Sequence, residues 1–425
     1  MTRPTFRYIW VAHLEVENFA ELPDGSEPVG IWHEGPTLRS MPSLQRDARP
    51  EASNKRVGRT LHVASTFLVA GLLLGACGGP SGSTSSNSPL TNQTPSDIRG
   101  LPSTLSAVAC ASSSDCWAVG TYKTGTSTRT LIEQNSGSGW KIVSSPRVSP
   151  ADSLGAITCV GAEDCWAVGA YATDTGGTEP LIEHNAGKGW TVVRSPSPGG
   201  ARQRALSSVS CAAANDCWAV GTAGIERYTG GSWSIVDSAT PDAVSCAGPS
   251  DCWAVSNAGI DQYSGSGWSA VTVPNVGHLG LLLGVTCAST HQCWAVGATA
   301  AGAASRALIL AYPGGEWKIA SSRDESLGFS ILGAVTCTND GDCWAVGQHS
   351  LTAVAQTLIE HYARGAWTVV NSPDVGSRDN ILYGVACASA GDCWAVGAYA
   401  NTTGSQTLIE HYDGTSWSIV NLSTS

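Results

Sequence analysis

The sequence predicts an all-β fold, a seven-bladed β-propeller with four antiparallel strands and one disulfide in each blade. Three observations carry this. First, a phrase ending in Cys-Trp-Ala-Val, met first at Cys116–Val119, occurs seven times, and each copy has another cysteine with five residues between the pair. Residues 105–425 thus divide into seven units of about 46 residues, the length of a four-stranded blade. Second, four short pieces rich in β-branched and aromatic residues recur in every unit. In the sixth they are Ile331–Cys337, Cys343–Gly347, Thr357–Tyr362 and Ala366–Val370, bounded by turn-forming residues. Third, length varies in one place only. The two tryptophans of a unit stand 23 or 24 residues apart in five units, as Trp117 and Trp140 do, but 15 apart at Trp218/Trp233 and Trp253/Trp268. The shortfall lies between strands two and three, as a fixed strand scaffold requires. A β-helix uses shorter repeats, and an open solenoid would carry atypical end units.

Composition narrows the function classes. A net charge of -11 and a pI near 5.2 leave no basic stripe to neutralise phosphates, so nucleic acid is not expected as a partner. Fifteen cysteines divide into seven regular pairs plus Cys77, which points to an oxidising compartment.

Residues 1–54 mix Pro, Glu and Arg without periodicity and read as a disordered or wrongly assigned extension. Residues 55–77 have the layout of an export signal, with Lys55, Arg56 and Arg59 before the apolar run 61–74. An export signal belongs at the start of a chain, so translation is expected to begin at Met41 or near Val57. Residues 78–104, rich in Gly, Ser, Pro and Thr, read as a flexible tether to the propeller at 105–425.

Within each unit the cysteines fall at the end of strand one and the start of strand two, where facing positions of a hairpin come within disulfide reach. The expected bonds are Cys110–Cys116, Cys159–Cys165, Cys211–Cys217, Cys246–Cys252, Cys287–Cys293, Cys337–Cys343 and Cys387–Cys393. Each closes a small loop, worth about 2 kcal/mol on a chain-entropy account. A metal reading fails because no histidine accompanies each pair and zinc needs four ligands; no metal or cofactor is expected. Asp precedes the second cysteine in six units (Asp115, Asp164, Asp216, Asp251, Asp342, Asp392), with Gln292 in the fifth. These carboxylates are expected to accept backbone N–H groups inside the hairpin loop, in preference to binding calcium. The paired tryptophans are expected to pack between neighbouring blades.

Three stretches carry family resemblances. Leu74-Gly75-Ala76-Cys77 resembles the lipobox of bacterial lipoproteins, which implies cleavage before Cys77 and lipid on its sulfur and amine. The turn Asn135-Ser-Gly137-Ser-Gly-Trp140 and its counterpart Asn185 to Trp190 look like relaxed Asp-boxes of sialidase-like propellers. Tyr228, Tyr263, Tyr312 and Tyr412 stand at the Asp place in four other units, giving a kelch-like Tyr…Trp pattern. The repeat as a whole resembles those of exported bacterial β-propeller proteins, which implies a fold rather than a reaction.

In an up-and-down blade the one–two and three–four turns share one face. The variable two–three loops share the other, and variable loops on a rigid scaffold are where binding usually sits. Tyr122, Tyr171, Tyr399 and His349 are the candidate rim of that face; two readings stand, a ligand-stacking rim or caps on inter-blade contacts. No catalytic set is expected. Strand-three carboxylates recur at Glu133, Glu183, Glu226, Asp261, Glu360 and Glu410, but neighbouring histidines (His184, His361, His411) point to the opposite side. The expected function is a monomeric, lipid-anchored extracytoplasmic propeller on a bacterial cell surface, binding a protein, peptide or glycan. The alternative is a glycan-processing enzyme of sialidase or glycoside-hydrolase type on a degenerate Asp-box propeller. That enzyme would show arginines and a carboxylate converging on the axis.

Overall fold

The computed structural model describes residue 98 and residues 100–420, apart from 197–202, 258, 276–279, 302–303 and 321–327. The extension, the export signal, Cys77 and the tether up to residue 97 lie outside the described residues.

Twenty-eight strands form seven four-stranded antiparallel sheets, each built from strands consecutive in sequence. Blade 1 comprises Ser103–Ser112, Asp115–Thr124, Ser127–Asn135 and Trp140–Val143. Blade 7 comprises Asn380–Ser389, Asp392–Ala400, Ser405–Tyr412 and Trp417–Ile419. Strand one of each blade touches strand one of the next, and that of blade 7 touches that of blade 1. The first strands are therefore innermost and the ring closes without strand exchange. Residues assigned to the tether already take part: Ile98 is buried, and the Gln406 side chain donates to the Leu101 carbonyl at 3.1 Å.

Most long strands run past the apolar pieces legible in the sequence. Blade 6 strand one spans Phe329–Asn339, because the backbone ladder continues through polar residues once the neighbouring strand is in register. Facing cysteines are direct register partners, and all seven disulfides form, with Cα atoms 3.9–4.1 Å apart and the second cysteine fully buried.

The glycine that follows Cys-Trp-Ala-Val in six blades has a steric cause. In blade 1, strand one skips a register position between Leu105 and Ala107, which drives the Thr104 carbonyl against strand two. A Cβ on Gly120 would sit 2.0 Å from that oxygen. Blade 4 alone carries Ser256 there, and its first strand starts only at Ala243.

Tryptophans join the blades. The first Trp of each blade meets the second Trp of the next edge to face: Trp117–Trp190, Trp166–Trp233, Trp218–Trp268, Trp253–Trp317, Trp294–Trp367, Trp344–Trp417 and, closing the ring, Trp394–Trp140. Each seam is a separate apolar cluster around such a pair, so the core is seven thin layers rather than one mass.

Candidate functional site

The variable-loop face is uneven. In blades 1, 2, 5, 6 and 7 strands two and three run on together as long hairpins, as in Asp342–Ser350 and Gln356–Ala363. Blades 3 and 4 turn back early, at Gly221–Gly224 and Ser256–Gly259. Five hairpins therefore reach further on this face than those of blades 3 and 4, leaving a notch two blades wide. In the notch the Asp242 carboxyl is half-buried; burial pushes it up to about 7, against a hydrogen bond from the Asn257 amide. On the raised side the blade 6 tip presents Leu351 and Val354, 65% and 36% exposed.

The four candidate rim residues occupy one register position. Tyr122, Tyr171, His349 and Tyr399 pair on strand one with Ser103, Asp152, Ser330 and Asn380, and on strand three with Arg129, Glu179, Gln356 and Gln406. All four are half-buried, and the three tyrosine rings pack onto seam clusters. Burial raises the Tyr122 phenol, partly offset by Arg129 and Arg147. The strand-one partners hold the incoming connectors: Asp152 accepts the amides of Val148 and Ser149 at 3.0 and 2.8 Å, and Asn380 that of Val375 at 2.8 Å.

Among the described residues the axis carries no sialidase-like constellation. The seven inner strands contain no arginine and consist largely of Ala, Val, Ser, Gly, Leu and Thr. Their open edges are tied by hydroxyls, as where Ser210 and Ser245 accept the amides of Cys246 and Cys287 on the next blade at 3.1 and 3.2 Å. Among the described residues no three His, Cys, Asp or Glu side chains gather as a metal site.

Three of the strand-three glutamates, Glu183, Glu226 and Glu410, fasten seams. Glu133, Glu183, Glu226, Glu360 and Glu410 have no exposed surface. Ser145, Ser195 and Ser372, each five residues past a blade's second Trp, donate to Glu183, Glu226 and Glu410 of the following blade at 2.8–3.2 Å. Burial raises Glu133, Glu183 and Glu410 to about 8 and Glu226 to about 7. Where blade 5 has Leu310 instead, blade 4 supplies Val273, and the two share one apolar cluster. Asp261, the blade 4 counterpart, is raised by burial and by nearby Asp237.

The aspartates before the second cysteine correct the sequence expectation. They bond across to strand three rather than to backbone amides of their own loop, although Asp342 also accepts the Thr338 hydroxyl there. Asp164, Asp342 and Asp392 take the imidazoles of His184, His361 and His411 at 2.8, 2.6 and 2.8 Å. Asp216 holds Arg227 at 2.7 and 2.9 Å, and Asp115 and Asp251 accept the amides of Gln134 and Gln262 at 3.1 and 3.2 Å. The physical reason is register. The strand-three residue paired with each first Trp projects beside the hairpin loop, so a long polar side chain there reaches the carboxylate. The signal was in the sequence: blade 5 alone has Gln292 for Asp, and alone has Ala311 opposite Trp294.

In the turns that resemble Asp-boxes, the Asn135 and Asn185 side-chain oxygens each accept two glycine amides at 3.0–3.3 Å. In blade 7 the carboxylate doing this is Asp413, one place after Tyr412; bonds from Thr415 and Ser416 lower it to about 2.

Comparisons with known proteins bear on architecture. No protein-family model matches the chain, and no curated protein matches it. Among solved structures, YCF48 bound to D1 peptide is similar at 13% identity and a TM-score of 0.47, over 73% of this chain and 94% of that one. YCF48 from Cyanidioschyzon merolae is similar at 14% identity and a TM-score of 0.35, over 75% and 85%. The Chaetomium thermophilum Sqt1 is similar at 9% identity and a TM-score of 0.45, over 75% and 86%. The propeller assignment rests on this chain's own strand order.

Proposed function

We propose that this protein is an extracytoplasmic binding module, tethered by lipid on Cys77, which engages a protein, peptide or glycan through its variable-loop face. The notched wall of five raised hairpins supports this most directly, because these hairpins change length from blade to blade on a fixed strand scaffold. Seven disulfides suit an oxidising compartment, and among the described residues the inner strands hold no arginine or glutamate, while their one carboxylate, Asp152, is taken up by the Val148 and Ser149 amides.

The test is a screen of peptide-display and glycan arrays with the full mature chain, repeated with Leu351→Ser/Val354→Ser and with the blade 6 hairpin cut to the length of blade 3. Ligands whose capture falls with these changes support the reading. Ligands indifferent to them, or glycan hydrolysis without ligand capture, reject it. Mass spectrometry of the mature N-terminus tests the anchor. A chain beginning at acylated Cys77 supports it, and recovery of peptides from residues 1–40 rejects it.

A further inference from the structure

Each seam contains an aromatic slot. Its floor is the first Trp of one blade, and its walls are the next blade's second Trp and, in five seams, that blade's strand-three tyrosine, a place held by Asn135 and Asn185 in blades 1 and 2. The space over the Trp is filled from the Trp's own blade by the strand-three residue opposite it. In three seams that filler is an imidazole, and His184, His361 and His411 stack on Trp166, Trp344 and Trp394 with ring centroids 3.8, 3.8 and 4.1 Å apart. In the seam between blades 3 and 4 it is a guanidinium. Arg227 lies 4.7 Å from the Trp218 ring and 5.3 Å from that of Tyr263, with two bonds to Asp216 and one to the Tyr263 hydroxyl.

The seam between blades 4 and 5 repeats the frame without the filler. Trp253 and Tyr312 stand 4.6 Å apart at 51°, against 4.6 Å and 54° for Trp218 and Tyr263. Asp251 occupies the place of Asp216, but opposite Trp253 is Gln262, one of whose amide hydrogens goes to Asp251. A cavity of about 290 Å³ opens there, bounded by Trp253, Gln262, Tyr312, Glu316 and Trp317. Exposed Glu316 adds a carboxylate at the lip. The residue before the second Trp is uncharged in every other blade: Gly139, Gly189, Ser232, Gly267, Ala366 and Ser416. Two residues beyond Trp317, on the same side of that strand, Ile319 is 55% exposed.

We propose that this slot binds the guanidinium of an arginine side chain on a partner polypeptide. The molecule supplies the precedent, since it places its own Arg227 against equivalent rings and on an equivalent aspartate. The guest takes over the bond that Gln262 makes to Asp251, uncovering the indole, and stacks on Trp253 and Tyr312, where a planar delocalised cation is favoured. The volume suits one side chain, and Glu316 and Ile319 meet the polypeptide on either side of it. The seam between blades 5 and 6 shows why rings alone are not enough. Trp294 and Tyr362 stand 4.5 Å apart there, but Gln292 replaces the aspartate, so no carboxylate selects a cation. The slot is at the cysteine end of the blades, apart from the variable-loop face, so it stands or falls independently of the binding role proposed for that face.

The experiment titrates the full mature protein with a blocked Gly-Arg-Gly peptide, its citrulline and lysine counterparts, and free arginine, following the indole N–H signals of Trp253 and Trp317 by NMR. The arginine peptide is expected to shift both signals, and citrulline is expected to shift neither. Gln262→Arg, which fills the slot from within as Arg227 does next door, should weaken peptide binding by at least about tenfold. Glu316→Gln should weaken it less, and Arg227→Gln should open a second slot and double the stoichiometry. Leu351→Ser/Val354→Ser should leave this binding unchanged. Absence of binding, equal binding of arginine and citrulline peptides, or undiminished binding to Gln262→Arg would overturn the proposal. Free arginine binding as tightly as the peptide would overturn its polypeptide part.

Discussion

The seams between blades 6 and 7 and between blades 7 and 1 are built from the same parts and finished differently. Both have an edge-to-face tryptophan pair, Trp344–Trp417 at 5.3 Å and Trp394–Trp140 at 5.2 Å. Both bury a strand-three glutamate completely. At the first seam Ser372 donates to both oxygens of Glu410; at the second, Glu133 has no hydrogen-bond partner among the described residues. Counting five residues past Trp417 reaches Leu422, where the other blades offer serine or, opposite Leu310, Val273. Among the described residues, ring closure keeps the apolar fastener and shows no polar one. Apolar packing holds the ring, and the Glu–Ser pairs relieve a cost that burial has already imposed.

Breaking the shared part should therefore hurt both seams most. Trp394→Ala or Trp344→Ala should each cost about 3–5 kcal/mol in denaturant unfolding, as removal of a buried aromatic does. Trp394→Phe should cost far less, because among the described residues the indole N–H of every blade tryptophan lacks a hydrogen-bond partner and only ring area is at stake. A Phe variant as unstable as the Ala variant would contradict this. Next in size is the Cys387–Cys393 clip: replacing both cysteines by Ser should lower stability by about 2 kcal/mol, with the sheet order retained by circular dichroism. A loss of all cooperative unfolding would mean that the clips, not the tryptophans, hold the ring.

How much of this was legible beforehand follows from periodicity. Strands, disulfides and the inter-blade role of the tryptophans repeat at one spacing, so seven copies report the same fact. The Asp–His and Glu–Ser contacts were not anticipated because each joins two residues from different strands or blades, and a single repeat shows only one end of the pair. Strand alternation puts His184 and Glu183 on opposite sides, yet the partner of His184, Asp164, lies 20 residues back across a hairpin whose register the repeat alone does not show. The exceptions held the missing information. Blade 5 changes Asp to Gln292 together with His or Gln to Ala311, and Glu to Leu310 where blade 4 offers Val273. The slot beside Trp253 is of the same kind, visible only once the filler in the neighbouring seam is seen in place.

The smaller effects separate the two seams. Ser372→Ala should make the blade 6–7 seam resemble the closing one, costing about 1–3 kcal/mol for the lost donor to a buried carboxyl. Glu133→Gln works in the other direction and depends on pH. The Glu133 carboxyl is held at about 8, well above its unfolded value near 4.5, so between those values the folded protein binds a proton that the unfolded chain releases. Its contribution to stability is complete below about 4.5, shrinks as pH rises, and is gone once pH passes about 8. Melting curves of the wild type should therefore fall from pH 5 to pH 9, where Glu183, Glu226, Glu410 and Asp242 add falls of the same sign, so Glu133 is read from the difference between the two proteins. Glutamine cannot ionise, so Glu133→Gln should melt close to the wild type at pH 5 and above it at pH 9. Parallel curves for the two proteins across that range would show that Glu133 finds a cation or donor at the closing seam, and that the two seams are finished alike after all.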